Sequence, residues 1–147
     1  ADSWEGALRR FLGQAEPGDY VAITAFVDPR ESAELLPSLR TGIAEALRVP
    51  ATLGLGPRFL HSTGQLHKGG PPSVLILQIT QEMRPGPPIP GRRYGFGVLT
   101  QALALGDLAV LRAAGRRVLR VHVTDDLGKG LERLCQAVRS VVTDVDS

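Results

Sequence analysis

With 147 residues, the chain is long enough for one domain with its own core and too short for two comfortable ones. A content of 43% hydrophobic and 22% charged residues is that of a folded globular protein, and the longest apolar run, around Val74 to Ile79, falls far short of the roughly 20 residues that cross a bilayer, so a membrane-spanning helix is excluded. The net charge of +2 hides an uneven distribution, since Leu47 to Gly106 holds six basic residues against the single acid Glu82, a local +5 that leaves −3 for the two ends. A basic middle between acidic flanks either draws an anion (a phosphorylated metabolite, nucleic acid or an acidic partner) or is a solvated loop surface.

In chain order, residues 1–17 are expected to form a linker or a leading helix. The start "ADSWEGALRRFLG" lacks the basic beginning and long apolar region of a secretory signal, so a cytoplasmic location is expected. "GDYVAITAFVD", Gly18 to Asp28, is a short apolar run rich in β-formers and reads as a buried strand. Leu35, Leu39, Ile43 and Leu47 then recur at intervals of four, the stripe of an amphipathic helix started by Asp28, Pro29 and Glu31 and stopped by Val49-Pro50. "ATLGLGP" is a candidate short strand, and "SVLILQIT" a strand covered on both faces. "MRPGPPIPGRRYGFG" is a loop. "GVLTQALALGDLAVLRAAG" predicts helix interrupted at Gly106, with Asp107 capping a second helix that ends at Gly115. "RRVLRVHVT" is a further strand, and "DDLGKGLERLCQAVRSVV" a C-terminal helix in which the lone Cys135 is a buried packing residue.

Strands separated by helix-length segments predict an α/β fold over 1–147 as a single domain: three layers, a mostly parallel sheet of about four strands, and helices on both faces. Ligands of such sheets sit at the carboxyl ends of the strands, where "ATLGLGPRFLHSTGQ" and "TQEMRPGPPIPGRRYGFG" begin their loops.

The segment "GPRFLHSTGQLHKGG", Gly56 to Gly70, gathers Arg58, His61, His67 and Lys68 without a carboxylate. His61 and His67 are six apart, where one helical face wants three or four, and no acid or cysteine completes a ligand set, so no metal is expected. Lys68 is followed by Gly rather than Ser or Thr, which excludes a Walker loop. No nucleophile elbow surrounds Ser62, and at 5% the aromatic content offers no stacking platform for nucleic acid. Two readings of His61 stay open on chemistry alone: a proton carrier beside cations that hold an anionic substrate, or a structural histidine capping a helix.

"FLHSTGQLHKGG" resembles the L-H-S-x-G-Q-x-x-x-x-G segment of glucose-6-phosphate isomerases, in the second of their two sugar-isomerase (SIS) domains. "YVAITAFVDP", "SVLILQIT" and "IPGRRYGFGVLTQALA" are similar to neighbouring stretches of that family. With "PIPG" and "GRRVLRVHV", the likeness is strongest to the C-terminal part of bacterial bifunctional transaldolase/glucose-6-phosphate isomerase fusions.

The resemblance implies interconversion of glucose 6-phosphate and fructose 6-phosphate, by ring opening and then proton transfer through a cis-enediol, with no metal or organic cofactor. It makes His61 the ring-opening residue, reaching the neighbouring subunit of a homodimer. Ser62 and Gln65 become positioning residues that bind substrate. Lys68 lies outside the matched positions; by their charge it and Arg58 are candidate contacts to the phosphorylated sugar, with a surface role as the alternative for Lys68. The family's second ring-opening residue, a lysine in a segment resembling D-Q-x-G-V-E-x-x-K, falls at Arg133 when "DDLGKGLER" is matched at Asp125 and Gly128; Lys129 is the alternative. Arginine keeps the charge but is a very poor proton donor. The family's proton-shuttling glutamate and phosphate loops have no counterpart here, so the chain is expected to be a C-terminal fragment whose partner is the remainder of the isomerase polypeptide, inactive alone. A non-catalytic SIS-like module that senses a phosphosugar or docks subunits is the competing expectation. Neither nucleic acid nor membrane is an expected partner.

Overall fold

The computed structural model describes residues 3–56, 73–82, 96–124 and 126–146. Helix α1 (Trp4–Leu12) opens the described chain, its N-terminus capped by Ser3, whose Oγ accepts the Gly6 N–H at 3.2 Å. Strand β1 (Tyr20–Phe26) follows, and then Asp28, whose Oδ1 accepts the Arg30 N–H at 2.8 Å, starts the short turn of helix α2 (Pro29–Ser32). Helix α3 (Leu35–Leu47) is separate from it. Strands β2 (Ala51–Leu55) and β3 (Val74–Gln81), helix α4 (Phe96–Ala113), strand β4 (Arg117–Val123) and helix α5 (Leu127–Asp146) complete the order.

All four strands pair in parallel, in the order β2-β1-β3-β4. The chain therefore moves one way from β1 to β2 and the other way from β3 to β4. Right-handed crossovers then place the intervening helices on opposite faces. Leu36, Leu39 and Ile43 of α3 join Leu8, Phe11 and Leu12 of α1 and Leu127, Leu131, Leu134 and Val138 of α5 over Val21, Ile23, Leu75, Leu77 and Ile79. On the other face Leu111 of α4 meets Ala22, Val74 and Ile76. The three-layer α/β architecture is thus as expected, with helices on both faces.

Two helical expectations change. The span after β1 is not one helix, because Pro37 has no N–H to return to the Ala33 carbonyl four residues earlier, and the ladder breaks at Ala33 and Glu34. The stripe in contact is Leu36, Leu39 and Ile43, with Leu35 and Leu47 only half-buried at its margin. Conversely, α4 runs unbroken through Gly106, which is exposed. A helical glycine costs only about 1 kcal/mol relative to alanine, less than alanine- and leucine-rich neighbours packed on a sheet supply. Asp107 is 4% exposed and lies in mid-helix rather than capping a second one. The C-terminal stop does fall as expected, with Gly115 at φ +74° just past the helix.

Candidate functional site at the carboxyl ends of the strands

The reversal in strand order falls between β1 and β3, so their adjacent carboxyl ends form the switch point where parallel sheets bind ligands. The Asp28 N–H, just past β1, donates to Gln81 Oε1 at the end of β3 at 2.5 Å and ties the two ends together. Gly56 closes β2 at the same edge, its N–H donating to the Ala25 carbonyl at 2.8 Å. A Cβ on Gly56 would come within 2.5 Å of the Phe26 ring, so the missing side chain is what lets that buried ring fill the end of the sheet.

The histidine-bearing segment begins immediately after Gly56. Arg58, His61, Ser62, Gln65 and Lys68 lie outside the described residues, as do Asp125 and the glycine- and proline-rich loop over 83–95. Lys129 and Arg133 are described, both exposed on α5. Asp126 caps this helix, its Oδ1 accepting the Lys129 N–H at 3.1 Å and its carbonyl the Gly130 N–H at 3.0 Å. Lys129 thereby stands in the first turn, next to the sheet edge, whereas Arg133 is one turn further along; both lie off the buried stripe of Leu127, Leu131, Leu134 and Val138.

Cys135 is half-buried rather than fully buried, and burial pushes its thiol above the ordinary range, opposed more weakly by Arg139. It borders a groove of about 580 Å³ between α3 and α5, which is also lined by Leu35, Ser38, Gly42, Glu45 and Glu132. Among the described residues no three His, Cys, Asp or Glu side chains stand together as a metal site, and no helix is long and apolar enough to cross a membrane.

A polar cluster escaped the sequence reading. On the α4-covered face, Thr80 of β3 lies directly opposite His122 of β4, and its Oγ1 is 2.8 Å from His122 Nδ1. Arg120, two residues before His122 and so on the same face, donates from Nε to Thr80 Oγ1 at 3.2 Å and from a terminal nitrogen to His122 Nδ1 at 3.3 Å. A guanidinium can only donate, so a bond from Arg120 to Nδ1 goes with the tautomer that carries its proton on Nε2, whereas a proton on Nδ1 would be given to Thr80 Oγ1. The available signal was the i, i+2 spacing of Arg120 and His122 in a strand, but their meeting with Thr80 needs the β3–β4 register.

Neither a protein-family profile nor a curated protein matches this chain. Among solved structures, the crystal structure of the hypothetical protein TT0462 from Thermus thermophilus is similar in fold, with a TM-score of 0.74 and 19% identity over 94% of this chain. The chain spans only 39% of the length of that protein. At this level of identity the likeness establishes the fold: a three-layer α/β arrangement around an all-parallel sheet.

Proposed function

We propose that this chain is part of a glucose-6-phosphate isomerase and supplies the histidine that opens the sugar ring. The observation that carries the reading is the "FLHSTGQLHKGG" segment, with its histidine, serine, glycine and glutamine in the spacing of that family's motif. The fold supports it, since the segment starts from the carboxyl end of β2, on the edge where parallel sheets bind ligands. In this reading His61 exchanges a proton with the ring oxygen or anomeric hydroxyl, a task suited to a group that titrates near neutrality. Ser62 and Gln65 orient the sugar, and Arg58 and Lys68 attract its phosphate. Lys129, in the first turn of α5, or Arg133, one turn further along, would assist. The base that moves the proton between carbons belongs to the remainder of the parent polypeptide, so the 147 residues alone should turn over little or nothing.

The test is conversion of fructose 6-phosphate to glucose 6-phosphate by the parent protein, wild type beside His61→Ala and His61→Asn. Loss of a general acid–base group should cost about 10²- to 10⁴-fold in turnover with folding retained. Full activity in both variants, or a parent that never converts the sugar, overturns the reading.

A further inference from the structure

Arg120 is a half-buried cation whose hydrogen bonds among the described residues go only to a hydroxyl and to a ring nitrogen. It forms no ion pair among those residues. Arg117, three residues earlier on the same strand, shows the usual solution, meeting Asp19 at 3.2 Å. Neither Glu82, exposed beyond the end of β3, nor Asp107, buried on α4, is ion-paired with Arg120.

The surroundings of Arg120 are also built to hold donors in place. Thr80, 3% exposed, anchors both partners and fixes the imidazole so that its Nε2 is turned away from the cluster and has no partner among the described residues. Beyond the two used inside the cluster, the guanidinium has further N–H groups that meet no partner among the described residues. Deeper on the same face, Thr24 and Gln78 continue the polar row, since Thr24 pairs with Gln78 and Gln78 with Arg120 across the strands. Thr24 Oγ1 and Gln78 Oε1 are buried and have no hydrogen-bond partner among the described residues. β4 is the outer strand of the described sheet, and Arg120 and His122 are both partly open to solvent, so the row can be reached from that side.

We propose that Arg120 and His122, positioned by Thr80, bind a phosphate group, either as inorganic phosphate or as a phosphate monoester. A planar guanidinium fork with an adjoining imidazole N–H matches several oxygens of one tetrahedral oxyanion. None of the three residues belongs to the motif that carries the isomerase reading, so the site stands or falls separately from it.

The experiment is a titration of the 147-residue chain with inorganic phosphate at fixed pH and ionic strength, following side-chain nitrogen NMR signals of His122 and Arg120. Wild type is expected to show saturable shifts at both. Arg120→Met keeps the aliphatic stem and should bind at least about tenfold more weakly, as loss of a charge-assisted hydrogen bond requires. Thr80→Val, which frees the imidazole, should weaken binding less. Circular dichroism checks each fold, and should Arg120→Met not fold, Arg120→Lys keeps the charge, loses the fork and should bind several-fold more weakly. Absence of saturable shifts in wild type overturns the site, as does undiminished binding in a folded Arg120 variant. Acetate competing as well as phosphate overturns the assignment to phosphate.

Discussion

On the face covered by α1, α3 and α5, β3 presents Leu75, Leu77 and Ile79; on the face covered by α4, the same strand presents Val74 and Ile76, then Gln78 and Thr80. The first face is apolar along the whole strand, under three helices. The second is apolar near the amino ends of the strands and mixed toward the carboxyl ends, where Thr24, Gln78 and Arg120 form one cross-strand row and the buried Phe26 with Thr80 and His122 the next. One face holds the sheet together, and the other gives up part of its apolar burial to place hydrogen-bonding groups near the edge where such sheets act.

The largest effect that tests this contrast comes from the apolar face. Leu77 is fully buried, so Leu77→Ala should cost about 2–5 kcal/mol in urea unfolding. A loss below about 1 kcal/mol would mean that this face is not the stabilising one.

Next comes the edge between the two regions. In Gly56→Ala the new Cβ would meet the ring of buried Phe26, and overpacking of this kind costs about 1–3 kcal/mol. A neutral Tm shift would show that the Phe26 ring can move aside.

On the polar face the expected sign reverses. Thr24→Val removes a buried hydroxyl that has no partner among the described residues, and should stabilise by up to about 1 kcal/mol. Gln78→Met should be close to neutral, because Gln78 Nε2 donates at 3.0 Å to an Ala104 carbonyl that already lies within a helix. Destabilisation by both changes in urea titrations would mean that these groups are satisfied in solution and belong to the working interior.

The smallest effect separates the two arginines of β4. The Arg117 guanidinium, followed by the Glu16 backbone N–H, holds the Asp19 carboxyl below its usual value. A lowered folded-state value contributes stability that is present above the unfolded carboxylate range, near about pH 4, and is lost as pH falls through the folded one. Asp19→Asn should therefore lower the neutral plateau of a stability–pH curve slightly and flatten its acid limb below about pH 4 by the same amount, with stability at the acid end unchanged; the effect is small because the pair is partly exposed. Arg120→Met should leave that limb unaltered.

Much of this architecture could be read along the chain. The apolar runs around Val21 and Leu75 and the bounding Pro and Gly residues marked the strands, and the helix-length spacers marked a parallel sheet. Helix ends were harder. Asp107 is a good cap by residue type, yet the sheet beneath α4 rewards an unbroken helix more than a cap rewards a break. Pro37 was the overlooked signal for the break between α2 and α3. The expectation for His61, Ser62 and Gln65 rests on motif spacing alone, in a segment outside the described residues, whereas Thr80, Arg120 and His122 were legible only in part: 40 residues separate Thr80 from Arg120 in the chain.

Local elements and the parallel character of the sheet are written in the order of the amino acids, because side-chain periodicity and turn chemistry act over a few neighbouring residues. The strand order β2-β1-β3-β4, and the register that sets Thr24 beside Gln78, Gln78 beside Arg120 and Thr80 beside His122, emerge only when the chain is folded. Such neighbours are chosen by non-local pairing, in which a slip of one residue would turn every side chain of a strand to the other face.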